Sequence, residues 1–121
     1  MNYLKKRLKS FGYAFAGIIV AWRTQAHMRL HFLAAIIVIV LGFYFNIEAW
    51  EWIAILICIG LVISLEMINS ALEKLCDFIS RDRHEFIKYI KDVAAGAVLV
   101  ASIIAFCIGI IIFWERVYCI F

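Results

Sequence analysis

Proline is absent from this chain, and charge is scarce: Asp, Glu, Lys and Arg make up only 17% of its 121 residues. Soluble domains carry about 25% charged and about 45–50% apolar residues, whereas 67% of this sequence is hydrophobic. A water-soluble domain of this size has too much surface for its volume to hide such an excess. Disorder is excluded as well, because disordered chains are poor in aromatics and 16% of this one is aromatic. Interdomain linkers, repeats and low-complexity tracts are missing, so residues 1–121 read as a single membrane domain. The 4 cysteines form no Cys-x-x-Cys pair and have no histidine at zinc spacing. Cys58, Cys76, Cys107 and Cys119 therefore read as structural thiols. Phosphate loops of the G-x-x-x-x-G-K-[ST] and G-x-G-x-x-G types are missing too. The basic residues flank apolar runs and form no basic domain, which argues against nucleic acid as a partner.

What the chain does have is three apolar runs. Phe32–Phe45, Trp52–Leu65 and Val93–Trp114, extended by their flanks, predict membrane spans over about 30–48, 50–72 and 93–114. Tyr44, Trp50, Trp52, Trp114 and Tyr118 lie at the run ends as interfacial anchors. Residues 1–28 differ: Lys5, Lys6, Arg7 and Lys9 alternate with Tyr3, Leu4, Leu8 and Phe11, predicting an amphipathic surface helix. The expected fold is thus all-α, with one surface helix and three transmembrane helices. Of the 12 basic residues, only Arg116 lies outside the two segments that precede span one and join spans two and three. That bias places the N-terminus and the 73–92 segment in the cytoplasm and the C-terminus on the other side of the membrane.

The chemistry concentrates on the second span. At about 100° per residue, Glu66, Asn69, Glu73 and Asp77 fall at roughly 0°, −60°, −20° and +20°, on one face. An acid inside the bilayer costs around 2.5–3.5 kcal/mol on insertion scales. Nothing structural requires one at Glu66, which marks it for a bound cation or a proton transfer. Asp77 also reads as the polar end of a long helix, and Asn69 as interhelical glue. On the third span Lys91 suits a phosphate as a point charge, and Asp92 suits a metal or the orientation of that lysine. Ala97, Ala101, Ala105 and Gly109 recur every fourth residue as a packing seam.

The pattern Glu66-x-x-Asn69-Ser70-Ala71-Leu72-Glu73-x-x-x-Asp77, then His84 and Lys91-Asp92-x-Ala94-Ala95-Gly96-Ala97-Val98-Leu99, resembles the small prokaryotic diacylglycerol kinase family, which includes undecaprenol kinases. The resemblance covers nearly the whole chain. It implies a homotrimer with active sites shared between subunits at the cytoplasmic interface, transferring the γ-phosphate of ATP to a membrane lipid with Mg²⁺ as cofactor. By position in the motif, Glu66 corresponds to the general base and Glu73 to a metal ligand. Lys91, Asp92, Asp82 and His84 correspond to nucleotide-binding residues, with Lys6 and Tyr13 contributing from the surface helix. Asn69, Asp77 and Arg29 support the site. The family usually has a second metal-ligating glutamate before the first span, where this chain has Gln25. Its amide oxygen can coordinate Mg²⁺ without supplying charge. Arg29 and His31 fit the family pattern, while His27 and His31 also read as ordinary interfacial histidines. Arg29-Leu30-His31 and the Lys91–Val98 stretch look more like the undecaprenol kinase branch than the diacylglycerol one.

Two other readings use the same residues. A small proton-coupled transporter would employ Glu66 but has no need of the ordered Glu73, Asp77, Lys91 and Asp92 set. A non-catalytic subunit descended from the kinase is kept open by Gln25.

Overall fold

A computed structural model describes residues 2–80, 82 and 84–120. Among them the secondary structure is entirely helical: α1 (Asn2–Thr24), α2 (Ala26–Tyr44), α3 (Ala49–Ile79) and α4 (Glu85–Tyr118). The last three are long and apolar enough to cross a membrane, as expected of a multi-pass membrane protein. Arg81 and Arg83, which contribute to the charge bias of the 73–92 segment, lie outside the described residues.

The first helix has no buried residue. Near its start, Arg7 donates from Nε and Nη2 to the Tyr3 hydroxyl at 3.1 and 2.9 Å. The helix ends at Gln25, three residues before the end of the expected surface segment, because Gln25 is extended (φ −118°, ψ 114°). Its N–H closes α1 on the Ala21 carbonyl, and its own carbonyl accepts the Arg29 N–H at the start of α2. Trp22 packs edge-on against Phe32 with ring centroids 5.3 Å apart, which ties the two helices together at the bend.

Apolar all round, α2 has the surface of a helix bathed in lipid. Its end shows why the first predicted span runs short of 48. Asn46 takes the left-handed conformation (φ 55°), its N–H bonds to the Phe43 carbonyl, and the Ile47 N–H bonds to the Gly42 carbonyl. This pair of bonds is the Schellman ending, in which Asn replaces the usual Gly. Gly42 itself is needed for another reason: a Cβ there would sit 2.7 Å from the Trp52 ring. The hairpin between α2 and α3 closes only because that side chain is missing.

Glu48 opens α3 as a reciprocal cap with Glu51, and accepts from Trp50 Nε1 at 2.6 Å. From there α3 runs 31 residues and α4 runs 34, about 46 and 51 Å at 1.5 Å per residue. Both exceed a hydrocarbon core of about 30 Å. Most of the 73–92 segment is therefore the helical continuation of α3 and the charged beginning of α4, joined at 80–84. Helix propensity does not stop where apolarity does, so the length of the apolar runs underestimates both helices. The two pack together over the most extensive contact in the chain. The buried core (Ile47, Ile55, Ile112 and Phe113) gathers at the end away from 73–92. In the small-residue seam Ala101 is buried, while Ala97 remains exposed.

Candidate functional site

Polar burial is confined to few places. Among the described residues, Glu51, Glu66, Asn69 and Ser70 are the buried polar side chains, and all four belong to α3. The last three cluster where the helical phase of the sequence places them, on the side turned toward the rest of the bundle.

Glu66 is 4% exposed. Its ionic partner is His31 on α2, with Nε2 3.6 Å from Oε2; no Lys or Arg pairs with it among the described residues. One turn on, Asn69 donates from Nδ2 to Glu73 Oε1 at 3.5 Å, so it serves its own helix rather than bridging to a neighbour. Asn69 Oδ1 and Ser70 Oγ are buried without a hydrogen-bond partner. Orphaned buried oxygens are rare in folded proteins and call for a ligand, ion or water. Glu73 is partly buried beside them. This is an oxygen-rich corner with one carboxylate and one amide oxygen.

Toward the end of α3 the lysine of Lys91-Asp92 turns away from its sequence neighbour. Lys91 Nζ lies 2.7 Å from Asp77 Oδ1, a bridge from α4 to α3. Asp92 is engaged instead by Lys88, one turn earlier, at 2.6 Å. The expected orientation of Lys91 by Asp92 is thus replaced by orientation through Asp77, since adjacent helical residues point about 100° apart and cannot face each other. Both lysines precede the apolar run 93–114. There Asp77 raises the Lys91 pKa above the ordinary lysine value through its hydrogen bond, and Asp92 does the same for Lys88. Lys91 is consequently a fixed cation across the physiological range.

Other expected site residues are placed more loosely. His84 caps α4, its Nδ1 accepting from the Phe86 N–H at 3.2 Å, with the ring stacked on Phe86 at 5.8 Å. His84, Glu85, Phe86 and Tyr89 line an open recess. Asp82 is exposed and donates its backbone N–H to Ser80 Oγ. Lys6 and Tyr13 are exposed on α1, and neither side chain bonds to another described residue. Gln25 is partly buried at the bend, where its side chain makes no capping bond. Arg29 reaches back to the Arg23 carbonyl at 3.4 Å. Among the described residues no three His, Cys, Asp or Glu side chains converge as a ready-made metal cage.

Two relationships escape the sequence pattern. His31 faces Glu66, and Arg116 of α4 grips Glu51 of α3 with Nη1 and Nη2 at 2.8 and 2.7 Å. A signal for the second exists in the composition of that end: Arg116 is the sole base beyond the third apolar run, and Glu48 and Glu51 are the sole acids between the first two apolar runs.

Comparison with known proteins places this geometry in context. Residues 12–113 match the sequence pattern of the prokaryotic diacylglycerol kinases. The chain is 39% identical to an undecaprenol kinase of Bacillus subtilis over 115 residues, covering 95% of this chain and 94% of that one. It is 30% identical to a diacylglycerol kinase of Escherichia coli over 109 residues, covering 90% and 89% of the two chains. A diacylglycerol kinase of Pseudomonas aeruginosa is 33% identical over 98 residues, or 81% and 80%.

Proposed function

The chain belongs to the prokaryotic diacylglycerol kinase family and is a membrane lipid kinase, and we propose that it transfers the γ-phosphate of ATP to the hydroxyl of undecaprenol, with Glu66 as general base. The observation that carries this reading is the burial of Glu66 without a guanidinium or ammonium partner among the described residues. Such a carboxylate is costly where it stands and is free to accept a proton. Preference for undecaprenol over diacylglycerol rests on Arg29-Leu30-His31 and on the match along nearly the whole Bacillus subtilis enzyme, 94% of its length, where an equally identical diacylglycerol kinase is matched over 59%.

Phosphoryl transfer asks the protein chiefly for positioning and for neutralisation of charge. Glu66 and Glu73 stand two turns apart on one face, about 10 Å along the axis. This spacing lets Glu66 address the acceptor hydroxyl while Glu73 addresses the phosphates. Glu66 removes the hydroxyl proton as the lipid oxygen attacks the γ-phosphorus. Lys91, held by Asp77, lays its charge along the triphosphate; Asp92, Asp82 and His84 border the nucleotide, and Lys6 and Tyr13 approach from α1. Arg29 braces the bend that carries Gln25.

The donor set fits Mg²⁺. That ion prefers oxygen, keeps several waters and takes one or two carboxylates together with substrate phosphates. Glu73 and the orphaned Asn69 Oδ1 would hold it, with Gln25 as a neutral second ligand. Bound there, Mg²⁺ would neutralise charge on the phosphate oxygens.

In this reading α1 lies along the headgroups, the N-terminus and the 73–92 segment face the cytoplasm of a bacterial inner membrane, and the C-terminus lies outside. The protein is a homotrimer whose sites are shared between subunits, which brings α1 and Gln25 of one subunit to the α3–α4 face of another. The test is transfer of label from γ-³²P-ATP to undecaprenol and to diacylglycerol, supplied side by side in mixed micelles with Mg²⁺. Labelled undecaprenyl phosphate is the expected product. Label in neither lipid overturns the reading, and preferential label in diacylglycerol overturns the choice of acceptor.

A further inference from the structure

Two acids are buried on α3, and they are held in opposite ways. Glu51 is clasped by both terminal nitrogens of Arg116, a group that stays protonated in proteins. Glu66 faces only the imidazole of His31, at 3.6 Å. Imidazole is the side chain whose charge changes between about pH 5 and pH 8. The first arrangement locks an anion in place; the second pairs an acid with a group able to take and release a proton. The partners also differ in access, for the His31 side chain is 23% exposed and that of Glu66 6%. His31 therefore joins the buried carboxylate to the outside. It further lines a cavity of about 500 Å³ between α2, α3 and α4 whose other walls are almost wholly apolar.

Among the described residues no other charged side chain pairs with either. On α2 the neighbouring charged or titratable groups are His27 and Arg29, and Arg29 is turned back to the Arg23 carbonyl. On α3 they are Glu66 itself, Glu73, which is bonded to Asn69, and the Cys58 thiol, which lines the same cavity as His31. Between Asp92 and Glu115, α4 has no titratable side chain except Cys107, which is exposed. The charged residue of α1 nearest its contact with α2 is Arg23.

We infer that His31 is a positioning and proton-relay residue for the kinase reaction, acting through Glu66. The inference rests on Glu66 being the general base. As the lipid oxygen bonds to the γ-phosphorus, the bond from that phosphorus to the β–γ bridging oxygen breaks and ADP leaves. The hydroxyl proton moves to Glu66 Oε2. From there it passes to Nε2 of neutral His31, and the imidazolium returns that proton to water, so that the Nδ1–H tautomer and the carboxylate are both restored for the next turnover. The separation of 3.6 Å is longer than a hydrogen bond of about 2.7–3.2 Å, as is common for catalytic pairs before substrate binds.

The experiment compares wild type, H31Q, H31A and E66Q for kcat and KM from about pH 5.5 to 9. General acid–base partners are worth about 10²–10⁴-fold, so a group acting through the base accounts for roughly 10–100-fold of kcat. H31Q is expected to lose that much, keep its KM for ATP within about twofold, and lose the fall in kcat on the acid side. Added imidazole is expected to restore part of the turnover of H31A. Wild-type kcat and pH profile in H31Q overturn the inference, as does loss in H31A that imidazole leaves unchanged. NMR of the His31 ring in the wild-type protein and in E66Q provides a readout independent of how the histidine variants fold. The ring resonances are expected to shift when Glu66 is replaced, and unshifted resonances also overturn the inference. The two levels separate cleanly: active E66Q refutes the general-base reading, whereas inactive E66Q with a normal H31Q refutes only the relay.

Discussion

Arg116 and Glu51, on different helices, form a two-pronged ion pair, with the Glu51 carboxylate 3% exposed. Nη1 also reaches the Ile112 carbonyl at 2.6 Å, so the guanidinium ties the last turns of α4 to the first turns of α3. Glu51→Gln strands a half-buried cation. Breaking a fully buried pair costs about 3–5 kcal/mol; with the Arg116 side chain 29% exposed, a smaller but measurable loss is expected. Unfolding in mixed detergent reads this out, and the double variant Glu51→Gln with Arg116→Gln should recover part of the loss. Full stability of the single variant would show the pair to be dispensable.

Gly42→Ala addresses the tight hairpin. The new methyl would stand 2.7 Å from the Trp52 ring and 3.2 Å from Ile47 Cδ1. Overpacking of this kind costs about 1–3 kcal/mol. Because Trp52 blocks the space, Gly42→Ala combined with Trp52→Leu should be more stable than Gly42→Ala alone, as measured by thermal unfolding in detergent.

Lys91→Met removes the cation assigned to the triphosphate, and a loss of about 10²–10³ in kcat is expected by analogy with other charge-stabilising donors. Asp77→Asn frees that lysine. Both partners are well exposed and exposed pairs are weak, so a drop of only a few-fold in kcat/KM for ATP is expected. Equal losses in the two variants would show that Asp77 does more than hold Lys91.

Gln25→Glu introduces a carboxylate at the position where the resemblance implies a second metal-ligating glutamate. The Mg²⁺ concentration giving half-maximal rate should fall several-fold, since charge on the ligand set tightens binding of hard cations. An unchanged Mg²⁺ requirement would remove Gln25 from the ligand set.

Cys119 caps the end of α4 and is exposed, so it reports on orientation. A membrane-impermeant maleimide applied to intact spheroplasts should label a variant retaining Cys119 alone. Labelling only after lysis would invert the topology.

The helical class and the three crossings were legible because apolarity repeats over long runs with little interruption. Grouping Glu66, Asn69 and Glu73 on one face needed only the helical period. The ends of α3 and α4 were hidden: residues 73–79 and 85–92 are polar yet helical, and span length follows hydropathy rather than hydrogen bonding. Pairings between helices were hidden too. Lys91 with Asp77, His31 with Glu66 and Arg116 with Glu51 depend on how the helices face one another, which the helical period does not report. Lys91-Asp92 illustrates the trap, for neighbours in sequence diverge around the helix and each finds its partner elsewhere.

The great length of α3 makes it a ruler. Glu66 stands 17 residues beyond Ala49, where the helix begins, about 26 Å along an axis that must traverse some 30 Å of hydrocarbon. With Ala49 at one boundary and the helix upright, the carboxylate falls within about one turn of the other boundary and Glu73 falls past it. An acceptor is then sorted by the depth at which it presents its hydroxyl. Tail length, saturation and branching are felt elsewhere along the helix, and an alcohol sunk a few ångströms deeper never meets its phosphate.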